Sequence, residues 1–251
     1  MKEFIKSYWK IILFFGLIGL FGGYFTGLYL YDTYPVEVIH EINNQGITKE
    51  LLGVVSALQS LGYGVVLGIL GILLSKKIGL WKDSFVIETN GLKEIIIVSI
   101  VGGCSMILFD LFFFSHYSQA IADSYLIKPT FSFILASVIY GGVIEEVMLR
   151  LFFMSLIAFI LNIVFNKNRE ITNTILIVAN IISALLFAAG HLPATIMTIG
   201  LTPMILFRCF LLNGGIGLLF GRLYRKYGIY YAMLAHAGCH MISKIIWIIF
   251  V

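Results

Sequence analysis

Charge is what this sequence has least of: Asp, Glu, Lys and Arg make up 12% of its 251 residues, against 60% that are hydrophobic. Soluble domains carry roughly twice that share of charge, so a water-soluble enzyme is excluded and the chain reads as an integral membrane protein. Proline is nearly absent, with four residues, and no Pro/Ser-rich linker, low-complexity tract or internal repeat divides the chain. Residues 1–251 therefore read as a single integral membrane domain. Cys104, Cys209 and Cys239 sit in apolar surroundings and form neither a disulfide framework nor a metal knuckle; they read as small buried hydrophobes. The basic residues are spread over the connections, which leaves no patch for nucleic acid. A P-loop, a dinucleotide fingerprint and the His-Glu-x-x-His zinc signature are all missing, as is any Ser-His-Asp or Cys-His arrangement.

What the chain does have is long apolar runs, each near the ~20 residues that span a bilayer. Seven are legible, at roughly 8–30, 53–75, 95–115, 131–165, 171–191, 197–221 and 229–250. The expected fold is all-α: a polytopic transmembrane helical bundle of seven or eight membrane segments, at least one of them broken or tilted. Segment 131–165 would be ~52 Å long as a straight helix, so it must tilt, kink or protrude. Asn213-Gly214-Gly215 is expected to break the sixth segment, making it broken or re-entrant. MKEFIKSYWK enters its apolar run with no small-residue cleavage site, the pattern of a signal anchor. Lys2, Lys6 and Lys10, then Lys76, Lys77, Lys82 and Lys93, then Lys167 and Arg169, then Arg222, Arg225 and Lys226 alternate with loops poor in basic residues. By the positive-inside rule the N-terminus is cytoplasmic. The Ile- and Lys-rich, Ala-poor composition fits an AT-rich bacterium, which places the chain in a bacterial cell membrane.

An ionisable side chain at mid-bilayer costs about 2.5–3.5 kcal/mol on insertion scales, so each one needs a reason. Asp110, Glu145, Glu146, Arg150, Arg208, Lys244, His191, His236 and His240 lie within or beside the apolar runs, most of them between 145 and 244. Residues 1–124 accordingly read as scaffold spans and 125–251 as the catalytic half. In GGVIEEVMLR (141–150), Glu146 and Arg150 lie about 40° apart on a helix and can pair. Glu145 lies about 100° round from Glu146 and needs another partner. The turn NKNRE (166–170) makes Glu145 and His191 equidistant from Asn168, so a helical hairpin would bring them to one depth. Leu192-Pro193 then marks a helix end or break beside His191. His236 and His240, four apart in LAHAGCH, share a helix face, and Gly141, Gly142 and Gly238 offer close approach. A buried carboxylate suits a general base and histidines can bind an oxyanion. Hydrolysis of an amide in or near the membrane is the chemistry these residues support.

In that order, Glu145-Glu146-x-x-x-Arg150, Phe187-x-x-x-His191 and His236-x-x-x-His240 resemble the motifs of the CPBP intramembrane proteases, the CAAX protease and bacteriocin-processing (Abi) family, over about residues 125–245. The resemblance implies that Glu145 activates water with His191 beside it, that Glu146 and Arg150 support it, and that His236 and His240 line the oxyanion side. The family often has asparagine where His240 stands. It also implies a membrane-associated peptide or protein substrate, possibly lipidated, embedded in the lipid bilayer: a CAAX-type protein, or a bacterial peptide in maturation or immunity. No cofactor is favoured, because the spacings are not those of zinc proteases; were a metal such as zinc required, Glu145, His191, His236 and His240 would hold it. The alternatives are a non-catalytic scaffold or immunity protein that keeps the motif, and a small transporter with Asp110, Arg208 and Lys244 along its path.

Overall fold

The computed structural model describes residues 2–83, 86–167 and 170–251. Met1, and Asn168 and Arg169 of the turn expected at 166–170, lie outside the described residues. The chain is helical throughout, with no strand among the described residues. Its helices are α1 (Lys2–Thr33), the short α2 (Val36–Asn44), α3 (Lys49–Lys77), α4 (Thr89–His116), the short α5 (Gln119–Ser124), α6 (Phe131–Asn166), α7 (Asn173–Thr198), α8 (Pro203–Tyr227) and α9 (Ile229–Phe250). Seven of these, all but α2 and α5, are long and apolar enough to cross a membrane. Their outer faces carry the exposed apolar side chains, among them Leu17, Leu58, Ile97, Leu185 and Ile249, as a lipid-facing surface requires.

Helix α6 is the centre of the bundle: α1, α3, α7, α8 and α9 all pack on it. It meets its length constraint by local rewinding, with backbone bonds running i→i+5 over Ala136–Glu145 and again over Val147–Met154. Such wide turns hold more residues per unit length than an α-helix and are found mostly at functional sites. Shorter i→i+5 turns occur at Tyr63–Leu67 in α3 and Phe210–Gly214 in α8. Helices α1 and α3 cross closely because Gly19 lacks a side chain: a Cβ there would stand 2.4 Å from the Ser60 carbonyl oxygen.

Two expected boundaries move. Helix α7 does not end near His191 but continues through Pro193 to Thr198. Proline removes one backbone donor, that for the Ala189 carbonyl, and the packed helix tolerates the loss. The actual stop is Gly200, whose φ of +85° suits glycine. The next start is Thr202, which caps Ile205 N at 3.2 Å with Pro203 in the first turn. The sixth span therefore runs from 203 rather than 197. It is neither broken nor re-entrant at Asn213-Gly214-Gly215, because the Phe210–Gly214 turn keeps the backbone bonded through that point.

Polar clasps secure both ends. At one, Tyr8 donates to Asp83 (2.7 Å) and Trp81 Nε1 to the same oxygen (3.0 Å); the Tyr8 bond above all holds the Asp83 carboxyl below the usual range. At the other, Arg208 grips Asp110 with two bonds of 2.5 Å, and Tyr125 donates to Asp110 at 3.0 Å. Burial, and then the Asp110 charge, push the Tyr125 phenol up, which keeps it a donor.

Candidate active site

Glu146 and Arg150, four apart on α6, form an ion pair of 3.0 Å with both side chains wholly buried. An isolated pair of this kind seldom repays its desolvation, and this one is embedded in further contacts. Arg150 Nη2 donates to the Gly217 carbonyl on α8 at 2.9 Å, and its guanidinium lies over Phe187 (4.5 Å) and Phe220 (5.4 Å). Gly217 makes this approach feasible, since a Cβ there would sit 2.7 Å from Arg150 Nη2. The same Glu146 oxygen accepts from His236 Nδ1 at 2.8 Å. Arg150, Glu146 and His236 thus join α6, α8 and α9 through one buried polar chain.

That bond also assigns the His236 tautomer. The Glu146 carboxylate only accepts, so His236 donates from Nδ1 and turns Nε2 the other way. Its Nε2 faces His240 Nε2 at 3.2 Å and Glu145 Oε2 at 3.9 Å. The ring is clamped flat on Phe220 (4.4 Å) and edge-on to Phe187 (5.7 Å). Among the described residues, Glu145 Oε2 and His240 Nδ1 are buried without a hydrogen-bond partner. Gly141 lies against this group, its Cβ direction pointing at His240 Nε2 (3.2 Å) and Glu145 Oε2 (3.8 Å). His191 donates from Nδ1 to the Phe187 carbonyl at 2.8 Å, leaving Nε2 as an acceptor, and packs edge-on against the Phe187 ring at 4.7 Å. Phe187 therefore touches His191, His236 and Arg150 alike.

The hairpin of α6 and α7 forms, but its register differs from simple arithmetic. Ser183 Oγ donates to the Leu149 carbonyl at 2.6 Å, and counting along both helices from that contact leaves Glu145 and His191 about one turn apart in depth. The uneven rise of the i→i+5 segments is the reason that equal residue counts do not give equal depths. The nearest ionisable neighbours of Glu145 are instead the α9 histidines. Gly142 and Gly238 serve helix packing, since Cβ atoms there would stand 2.7 Å from Ala237 Cβ and 2.2 Å from Ser99 Oγ. Asp110 and Arg208 bind each other, while Lys244 lies over Phe133 (3.9 Å), so these three charges do not line one path. Phe220 and Gly217 went unread in the sequence; their only signal was GLLFGR on the α8 face opposite the motif helix.

A catalytic zinc needs three protein donors within about 2.0–2.2 Å of one point. Among the described residues no group of three or more His, Cys, Asp or Glu side chains has that geometry. His236 and His240 bring two nitrogens together, Glu145 stands further off, and His191 is bonded through Nδ1 to the Phe187 carbonyl. The donor set does not fit a zinc site in this arrangement.

The family model described as type II CAAX prenyl endopeptidase Rce1-like matches residues 127–242. Comparison with curated proteins and with solved structures gives no match. The matched stretch begins just before α6 and ends within α9, and all six site residues fall inside it. Residues 127–242 thus match an Rce1-like type II CAAX prenyl endopeptidase model, which is consistent with the CPBP/CAAX family.

Proposed function

We propose that this protein is an intramembrane endopeptidase that hydrolyses a peptide bond in a membrane-associated, prenylated protein or peptide, using a water activated by Glu145. One observation carries the reading: of two adjacent carboxylates, Glu146 is bound through one oxygen to both Arg150 and His236, whereas Glu145 makes no hydrogen bond among the described residues and its Oε2 stands 3.9 Å from His236 Nε2. Glu145 accepts a proton from water as the water oxygen bonds to the scissile carbonyl carbon. The oxyanion that forms is met by His240 Nε2–H, turned to it from His236 Nε2, with the His236 ring held in position by Glu146 and Phe220. The proton then passes from Glu145 to the amide nitrogen, the C–N bond breaks and the carboxylate is restored. His191 Nε2, an acceptor by its tautomer, orients the water or the departing amine. Arg150 holds Glu146 in place, and Glu146 in turn fixes the His236 ring through its Nδ1.

The alternation of basic loops supports a cytoplasmic N-terminus, and the position of the intramembrane charges supports reading 1–124 as scaffold and 125–251 as the catalytic half. In purified protein, Glu145→Gln and His191→Ala should each abolish cleavage of a prenylated peptide while the thermal unfolding profile stays near that of the parent. A chelator should leave the parent's rate unchanged. Cleavage retained by both variants would end this assignment.

A further inference from the structure

A basic recess takes no part in this chemistry; it lies where the first turn of α7 meets the last turns of α8. It has a volume of about 220 Å³ and is lined by Asn173, Leu176, Arg222, Arg225 and Lys226, with no acid among them. Further along the same two helices, Asn180 Nδ2 donates to the Leu218 carbonyl at 3.0 Å and holds them together. Arg222 and Lys226 share one carboxylate, Glu94 on α4, at 2.5 and 2.7 Å. Arg225 has neither ion pair nor hydrogen bond among the described residues, and its Nε is buried without a partner. Three cations against one carboxylate leave the recess short of negative charge, and the buried Nε–H is a donor that lacks an acceptor.

The surroundings narrow the anion. An arginine's planar fork meets two oxygens of one phosphate at once, which a carboxamide or hydroxyl does not exploit. The start of α7, where Thr172 caps Ile175 N at 3.3 Å, adds the positive end of a helix dipole. Both helices are candidate membrane spans, and the alternation of basic loops supports putting these ends at the cytoplasmic leaflet, where anionic headgroups lie. From Asn173, Ile177, Ile181 and Leu185 follow at four-residue steps as an exposed apolar stripe on α7, and Leu218 stands exposed one turn before Arg222 on α8. A phosphate among the arginines would have apolar helix faces beside it for acyl chains, which a soluble phosphate ester does not use.

We propose that this recess binds the phosphate of an anionic phospholipid, held by Arg225 with Arg222 and Lys226 beside it. The test reads binding alone and is independent of the protease reading. Full-length protein in detergent is titrated with phosphatidylglycerol or phosphatidylcholine, and bound lipid is counted by native mass spectrometry. The parent should bind phosphatidylglycerol about ten-fold more tightly, since each cation near an anionic headgroup contributes about 1 kcal/mol, or about five-fold. Arg225→Gln should weaken phosphatidylglycerol about five-fold and leave phosphatidylcholine unchanged. Asn173→Asp puts a carboxylate into the recess at a helix start, where an acid favours the helix. It should therefore unfold no earlier than the parent and still lose the phosphatidylglycerol preference. Lys6→Gln, which removes a cation on α1 outside the recess, should keep that preference. Equal binding of the two lipids by the parent, or a preference that survives both Arg225→Gln and Asn173→Asp, overturns the proposal. So does an equal loss in Lys6→Gln, which would reduce the effect to general surface charge. Displacement of phosphatidylglycerol by an equal concentration of glycerol 3-phosphate also overturns it, because the recess would then belong to a soluble phosphate ester.

Discussion

Arg150 has three kinds of partner at once: a carboxylate, a backbone carbonyl and two aromatic faces. Removing it strands Glu146 as a buried, uncompensated charge, so Arg150→Met should cost about 3–5 kcal/mol, measured by unfolding in detergent. Glu146→Leu/Arg150→Met should recover part of that stability and none of the activity, because His236 loses the acceptor for its Nδ1 proton. His240 presents the complementary case. An asparagine amide can donate as its imidazole does, so His240→Asn should retain measurable peptide cleavage. His240→Ala should lose about 10²–10³-fold in kcat, the usual consequence of deleting an oxyanion donor. The pairing of Glu146 with Arg150 was legible from their spacing, since four residues bring side chains together on α-turns and on the wider turns found here alike. The neighbours of Glu145 were not, since they depend on how α9 packs against α6.

Among the elements, α6 carries the first motif, and α4, α5 and α8 brace the bundle around it. The Asp110–Arg208 clasp joins α4 to α8, and Tyr125 ties in the chain leading to α6. Arg208 keeps 19% of its side chain exposed, so Asp110→Leu should destabilise by about 2–3 kcal/mol, below the range for a fully buried pair. Asp110→Leu/Arg208→Leu should lie closer to the parent, with thermal unfolding as the measure. The existence of α6 and α7 followed from apolar runs and their capping residues. Their register did not, because i→i+5 winding is set by packing against five neighbours and leaves no mark in residue spacing. Pro193 misled for a related reason: a proline signals an end only where neighbouring helices do not hold the next turn in place.

Over the whole molecule, if each of the seven candidate spans crosses, the two termini would lie on opposite sides of the membrane. A cysteine at Lys2 and another at Val251 should react with an impermeant maleimide from opposite faces of oriented vesicles; labelling from one face would require an even number of spans. The sequence by itself determined the helical class and set the membrane segments at seven or eight, because a bilayer admits little but apolar helices and each must be near 20 residues; the structure has seven candidate spans. It also determined which polar residues needed a reason to exist, since hydrocarbon penalises every charge. Only the tertiary structure decided which carboxylate Arg150 and His236 share, that Phe187 packs against both His191 and His236, and that Lys244 faces rings instead of an acid. Those outcomes rest on distances of a few ångströms between helices far apart in the chain, and they are set by how the helices rewind and pack.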